Sequence, residues 1–172
     1  MMENPDKARK GEVPRMKVSQ LLHRKSVLIH ADVPDASNAL GILVELQEAG
    51  GVITNGTAYY KAVCDREITG GSTAIGEGIA LPHASNAGVA APGLAALCLR
   101  QGVDWGAADG EPVDLIFMIA MPPHAQSEHL LIMARLVTLL SDPELTNALR
   151  GAVSRERFIE LLARAEAERF AE

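Results

Sequence analysis

Apolar residues follow two rhythms along this chain. Short continuous runs alternate with stretches in which they recur every three or four positions, the pattern of strands interleaved with amphipathic helices. Residues 18–22 form one short apolar turn, and residues 26–30 (Ser-Val-Leu-Ile-His) predict a first strand. Pro34-Asp35 opens a helix with Asp35 as N-cap. Its face is Leu40, Leu43, Val44 and Gln47, widened by Leu46 and Ala49, and Gly50-Gly51 stops it. Asn55-Gly56-Thr57 opens a second helix, with Tyr60, Val63 and Cys64 at helical spacing, that ends near Arg66-Glu67.

After a small-residue loop at 85–93, residues 94–100 predict a strand and residues 103–112 carry turn signals. Residues 113–121 (Val-Asp-Leu-Ile-Phe-Met-Ile-Ala-Met) are almost continuously apolar, as expected of a central strand covered on both faces, and Pro122-Pro123 stops it. Over 127–140, Leu130, Met133, Ala134, Val137 and Leu140 form a helical stripe. Asp142-Pro143 restarts a helix with Asp142 as N-cap, and 154–170 is a last amphipathic helix bearing Phe158, Ile159, Leu161 and Leu162. The expected fold is α/β: one domain with a mixed central sheet sandwiched between helices.

Composition narrows the function classes. With 172 residues, 48% of them hydrophobic, the chain supports one domain with a substantial core. Sixteen basic against 22 acidic residues give a net charge of −6, and aromatics are 3%, so a nucleic-acid partner is not expected. An acidic surface is compatible with a basic protein partner. No apolar run approaches the roughly 18 residues of a membrane span, so membrane insertion is not expected. Residues 1–15 are polar, lack the apolar segment of a signal peptide and are expected to be a flexible tail ahead of a domain at 16–172. Cys64 and Cys98 sit within apolar patterns without CxxC spacing; a buried structural role and a reduced, cytoplasmic protein are expected.

The chemistry concentrates in residues 66–84, Arg-Glu-Ile-Thr-Gly-Gly-Ser-Thr-Ala-Ile-Gly-Glu-Gly-Ile-Ala-Leu-Pro-His-Ala. Four glycines within nineteen residues argue against a helix and allow close backbone approach to a ligand. Pro82 makes Leu81 extended and stiffens the arm that presents His83. A neutral imidazole is a competent nucleophile near pH 7. Thr73-Ala-Ile-Gly-Glu-Gly-Ile-Ala-Leu-Pro-His-Ala84 resembles the phosphohistidine signature of the fructose/mannitol-type (type 2) IIA domains of the bacterial phosphoenolpyruvate-dependent sugar phosphotransferase system. The resemblance covers roughly residue 16 to the C-terminus and implies that His83 accepts a phosphoryl group.

Ser127-Glu128-His129-Leu130 resembles the family's second-histidine segment, which implies that His129 supports the phosphoryl group or fixes the nucleophile's tautomer. Its spacing with Met133, Leu136 and Leu140 independently aims it at the helix's buried side, and a helix N-terminus favours an anion. Arg66-Glu67 resembles the family's Arg-Glu pair, so Arg66 is the expected phosphate clamp, although the Gly70-Gly71-Ser72-Thr73 segment is about one residue longer than usual. Thr73 is a further candidate to meet phosphate oxygens. Glu77 either orients the imidazole or faces solvent or a partner.

His23, His30 and His124 match no motif. A His124/His129 metal pair has poor helical spacing and no third ligand, so no metal is expected. Gly70-Gly71 and Gly76-Glu77-Gly78 fit neither GxGxxG nor GxxxxGK[ST], so a nucleotide site is not expected either, and no cofactor is implied.

What the resemblance implies is a relay: the phosphocarrier HPr donates to His83, and a cysteine of a IIB domain of a sugar permease accepts. Val103-Asp-Trp-Gly106 and Asp109-Gly-Glu-Pro-Val113 look like the sugar-transporting branch. The alternatives are a nitrogen-regulatory IIA protein, which acts by phosphorylation-dependent binding, and a non-catalytic interaction module. A metal-dependent hydrolase would need bound metal.

Overall fold

Nine consecutive residues, Val113–Met121, form the central strand β6, which is buried along almost its whole length. The computed structural model describes residues 16–171, so the expectation of a flexible tail over 1–15 falls outside the described residues. Around β6 lie β1 (Val27–Ala31), β2 (Ala74–Gly76), β3 (Ile79–Ala80), β4 (His83–Ser85) and β5 (Gly93–Val103). The sheet order is β1-β5-β6-β3-β2, with β4 also paired to β6. β5 runs antiparallel to β6, whereas β3 and β4 run parallel to it. The sheet is therefore mixed, as expected.

Strand alternation divides the core in two. Leu94, Ala96, Cys98, Leu115, Phe117 and Ile119 face one cluster, built with α3 (Gln126–Leu140), α4 (Pro143–Arg150) and α5 (Arg155–Arg169). Ala95, Leu97, Leu99, Ile116, Met118 and Ala120 face the other, built with α1 (Ala36–Ala49) and α2 (Gly56–Thr69). A strand buried on both sides has no polar face to alternate, which is why its sequence reads as a continuous apolar run.

The helix starts follow the expected chemistry. The Asp35 side chain accepts from the Asn38 N–H at 2.8 Å, Asn55 from Ala58, Asp142 from Glu144 and Ser154 from Arg157. Three expectations change. The helix expected to end near Arg66-Glu67 runs on to Thr69, and its buried residues are Tyr59 and Val63, while Tyr60 lies at the helix flank with its hydroxyl donating to Ser37 O. The strand expected to close at residue 100 continues to Val103 through a register shift. On α3 the buried stripe is Ile132, Leu136, Leu139 and Leu140, whereas Leu130 and Val137 are exposed.

One buried carboxylate had no sequence signal. Glu166 on α5 is 2% exposed and accepts from Val18 N (2.7 Å), Ser19 N (3.0 Å) and Ser19 Oγ (2.7 Å), with Arg135 at 3.7 Å. It caps the short 3-10 turn Val18–Leu21 and so fastens the start of the described chain to the last helix. The thiols are free. Cys98 is buried and Cys64 only half-buried, a weaker burial than expected; desolvation is the main influence raising both thiol pKa values.

Candidate functional site: a histidine pair at the edge of β4 and the start of α3

Residues 73–85 fold as three short strands rather than as one loop. Gly76, Glu77 and Gly78 all have positive φ (91°, 59° and 74°), which makes the tight turn between β2 and β3. β3 then runs along β6, with Ile79 opposite Leu115. Leu81-Pro82 breaks the strand, and β4 resumes on the same neighbour with His83 opposite Ile119. Pro82 has no N–H to offer, but its carbonyl accepts from Ile119 N at 3.0 Å, so the proline is used as an acceptor in the ladder.

Alternation decides where the histidine points. Ile79 and Leu81 belong to the α3 side of the core, and Ala80 and Ala84 to the α1/α2 side. His83, two residues beyond Leu81, therefore faces α3. There its ring meets that of His129, with centroids 5.0 Å apart and planes inclined at 51°. From the opposite face the buried Tyr59 hydroxyl donates to Ile119 O at 2.9 Å, pinning β6 opposite His83, and burial raises that phenol's pKa far above its ordinary value.

His83 Nδ1 lies 2.8 Å from Leu81 O. A carbonyl can only accept, so Nδ1 carries the proton, and in the neutral ring Nε2 keeps its lone pair. The backbone of the Leu-Pro-His sequence thus assigns the tautomer. His129 supplies the complement: its Nε2 is buried and finds no hydrogen-bond partner among the described residues. Burial lowers the His129 pKa, and the nearby His83 adds to this, so its neutral form is favoured. α3 begins at Ala125 without a side-chain cap, so its first N–H groups are not satisfied from the cap residue.

The other expected site residues lie elsewhere along the stretch. Arg66, in the last turn of α2, donates from Nη1 to Gly71 O at 3.0 Å. Thr73 is buried, and its N–H and hydroxyl both donate to Glu67. Glu77 sits at the β2–β3 turn, where its N–H donates to Asp109 and its carbonyl accepts from Arg150 at 2.6 Å. Ile79 and His83 are set against positions four residues apart on β6, which puts about 13 Å of strand between them, with Glu77 beyond that. The structure thus joins His83 with His129 and leaves Glu77 at the opposite end of the segment. Among the remaining histidines, His30 donates from Nε2 to Ala152 O at 2.8 Å, and His124 occupies a positive-φ position (68°) ahead of α3. No metal-binding group of three or more His, Cys, Asp or Glu side chains occurs among the described residues. No described helix is long and apolar enough to cross a membrane.

The chain is similar to known proteins in sequence and in fold. The chain is 35% identical over 86% of its length to the PTS system fructose-specific EIIABC component of Bacillus subtilis, of which it spans 23%. Among solved structures it resembles the nitrogen regulatory protein IIA-Ntr of Neisseria meningitidis, with a TM-score of 0.78, 27% identity, and 84% of this chain and 98% of that one covered. It also shares the fold of the Escherichia coli IIA mannitol enzyme in its complex with phosphorylated IIB mannitol, with a TM-score of 0.71, 23% identity, and 84% and 99% covered. A family model described as phosphoenolpyruvate-dependent sugar phosphotransferase system, EIIA 2, matches residues 20–165, and the chain belongs to that family.

Proposed function

We propose that the protein carries a phosphoryl group on His83, received from the phosphohistidine carrier HPr and passed to a cysteine of a IIB domain in sugar uptake. The observation that carries this reading is the histidine pair: one ring with its tautomer fixed by Leu81 O, beside a second whose buried Nε2 has no partner among the described residues. In the first transfer the His83 Nε2 lone pair attacks the phosphorus of the donor. The new P–N bond forms as the donor's P–N bond breaks, and that electron pair returns to the donor imidazole. In the second, the IIB thiolate attacks the same phosphorus, a P–S bond forms, and His83 leaves as the neutral ring it was.

In this reading the His129 ring, whose Nε2 has no hydrogen-bond partner among the described residues, donates from that nitrogen to a phosphoryl oxygen, and the uncapped N–H groups of α3 favour the same negative charge. Arg66 leaves Gly71 O and adds a forked pair of donors to the phosphoryl oxygens. Thr73 sits too deep in the Glu67 network to serve as more than a support. No resident cofactor enters this chemistry, and transfer between soluble phosphoproteins places the protein in the cytoplasm. The 35% identity to a fructose-specific component favours a fructose-type sugar. The likeness to a nitrogen regulatory protein supports a second reading, in which phosphorylation of the same His83 switches binding to a target protein.

The deciding experiment is transfer from phosphorylated HPr to the wild type and to His83→Gln. An acid-labile, base-stable phosphate on the wild type and none on the variant is the expected result. Discharge on adding a IIB domain indicates transport, while a stable label that alters capture of a target protein indicates regulation. An unlabelled wild type would overturn the carrier reading.

A further inference from the structure

We infer that Glu67 is a positioning residue for His83, acting through Thr73 and Leu81 to hold the nucleophile in the tautomer that leaves Nε2 free. This rests on the proposed role of His83 as phosphoryl acceptor and gives a role to Glu67, the second residue of the Arg66-Glu67 pair, to which the sequence assigned none.

Glu67 lies in the last turns of α2, and its carboxylate is a focus of donors from two other segments. The Thr73 N–H donates to Oε2 at 3.1 Å and the Thr73 hydroxyl to Oε1. The indole Nε1–H of Trp105, the sole tryptophan of the chain, lies 3.4 Å from Oε1 and 3.3 Å from Thr73 Oγ1. Thr73 and Trp105 are each 6% exposed, so these contacts are shielded from water. Ser72 adds a second tie, its hydroxyl donating to Trp105 O at 2.6 Å. The segment between α2 and β2, which is glycine-rich and has no intrinsic reason to hold one conformation, is thereby fixed at Thr73.

From Thr73 the order passes to the histidine by backbone hydrogen bonds. The Thr73 carbonyl accepts from Leu81 N at 3.0 Å, and the Leu81 carbonyl accepts from His83 Nδ1 at 2.8 Å. Leu81 is 1% exposed and followed by proline, so its peptide plane has little freedom once its N–H is held. Glu67 therefore sets Thr73, Thr73 sets Leu81, and the Leu81 carbonyl sets the imidazole. A carboxylate suits the first position because it accepts from both Thr73 groups and the indole at once. A glutamine amide has only one acceptor oxygen and leaves a donor without a partner.

The test compares wild type with Glu67→Gln, Thr73→Val and Trp105→Phe, reading the His83 tautomer by nitrogen NMR of the unphosphorylated protein and, separately, the rate of labelling from phosphorylated HPr. Wild-type His83 should be almost wholly the Nδ1–H form. Glu67→Gln should raise the Nε2–H form to a measurable fraction and slow labelling by about tenfold, well short of the roughly 100-fold that a full 1 Å displacement costs. Thr73→Val should do the same more weakly, and Trp105→Phe least. Leu145→Ala, a core truncation on α4, serves as the control for lost stability and should leave the tautomer unchanged. If Glu67→Gln does not fold, Thr73→Val decides. An unchanged tautomer and rate in folded variants, with wild type still labelled, would overturn the positioning role and leave the carrier reading intact. A tautomer shift in the variants, with a wild type that is never labelled, would overturn the carrier reading and leave Glu67 only its hold on the His83 tautomer.

Discussion

The two ends of the segment from Glu77 to His83 solve opposite problems. At the turn, polar groups are tied to protein: Glu77 N–H to Asp109, Glu77 O to Arg150, and Arg150 in turn to Asp114 at 3.0 Å. At the histidine end a buried ring nitrogen of His129 has no partner among the described residues, and α3 starts without a side-chain cap. An unsatisfied buried polar group costs about 1–3 kcal/mol; among the described residues His129 Nε2 and Gln47 Oε1 are the two such side-chain atoms, and only His129 stands beside a second imidazole. The contrast sets polar groups tied to protein at one end of the segment against an unpartnered ring nitrogen beside the other. It also shows that a motif contiguous in sequence is not one site in space.

The sharpest way to break this contrast is to remove the orphaned nitrogen. His129→Ala should slow phosphoryl transfer to His83 by about 100-fold, the usual effect of deleting one preorganised donor, while the unphosphorylated protein keeps its secondary structure. Stopped-flow or quench-flow labelling from phosphorylated HPr measures the first, and circular dichroism the second. Little change in rate would mean that His129 only packs against His83.

Next in size is the pH dependence of stability. Burial, helped by His83, holds the His129 pKa below its ordinary value of 6.5. Between that ordinary value and the depressed folded one, the unfolded chain binds the proton and the folded chain does not. Stability should therefore fall as pH drops below about 6.5 and level off once the folded ring is itself protonated. Urea titrations across this range should show a shallower pH dependence in His129→Gln than in the wild type. An unchanged slope would place the titration elsewhere.

How much of this was legible in the sequence follows from the same contrast. β6 could be read residue for residue because a strand buried on both faces is apolar throughout, and the N-caps Asp35 and Asp142 could be read because capping is local. His83 stood out because glycine and proline chemistry frames it. The face of α3 did not emerge correctly. Leu130, Leu131, Ile132, Met133 and Leu136 offer apolar side chains around much of the helix, so periodicity alone selects no unique stripe, and the sheet chose Ile132 and Leu136. Glu166 gave no signal because its donors lie far away in sequence, and Glu67 figured only as the neighbour of Arg66 because its Thr73 and Trp105 donors converge only in the folded chain. Tyr59 was passed over for its neighbour Tyr60, a difference of one position that only the packing of α2 on the sheet decides.

The smallest expected effect tests the tied end. Glu77 is the one non-glycine residue of a turn in which three successive residues have positive φ, and its own φ is 59°. A side chain in this region costs about 1–2 kcal/mol, offset in part by the greater unfolded-state entropy of a glycine. Glu77→Gly keeps the backbone N–H that meets Asp109 and the carbonyl that meets Arg150, so both ties survive the substitution. Stability should rise by a few tenths of a kcal/mol to about 1 kcal/mol in urea unfolding, with the rate of labelling at His83 unchanged. A loss of labelling rate without loss of stability would mean that the Glu77 carboxylate faces the docked donor or acceptor, and that the tied end of the segment takes part in partner recognition after all.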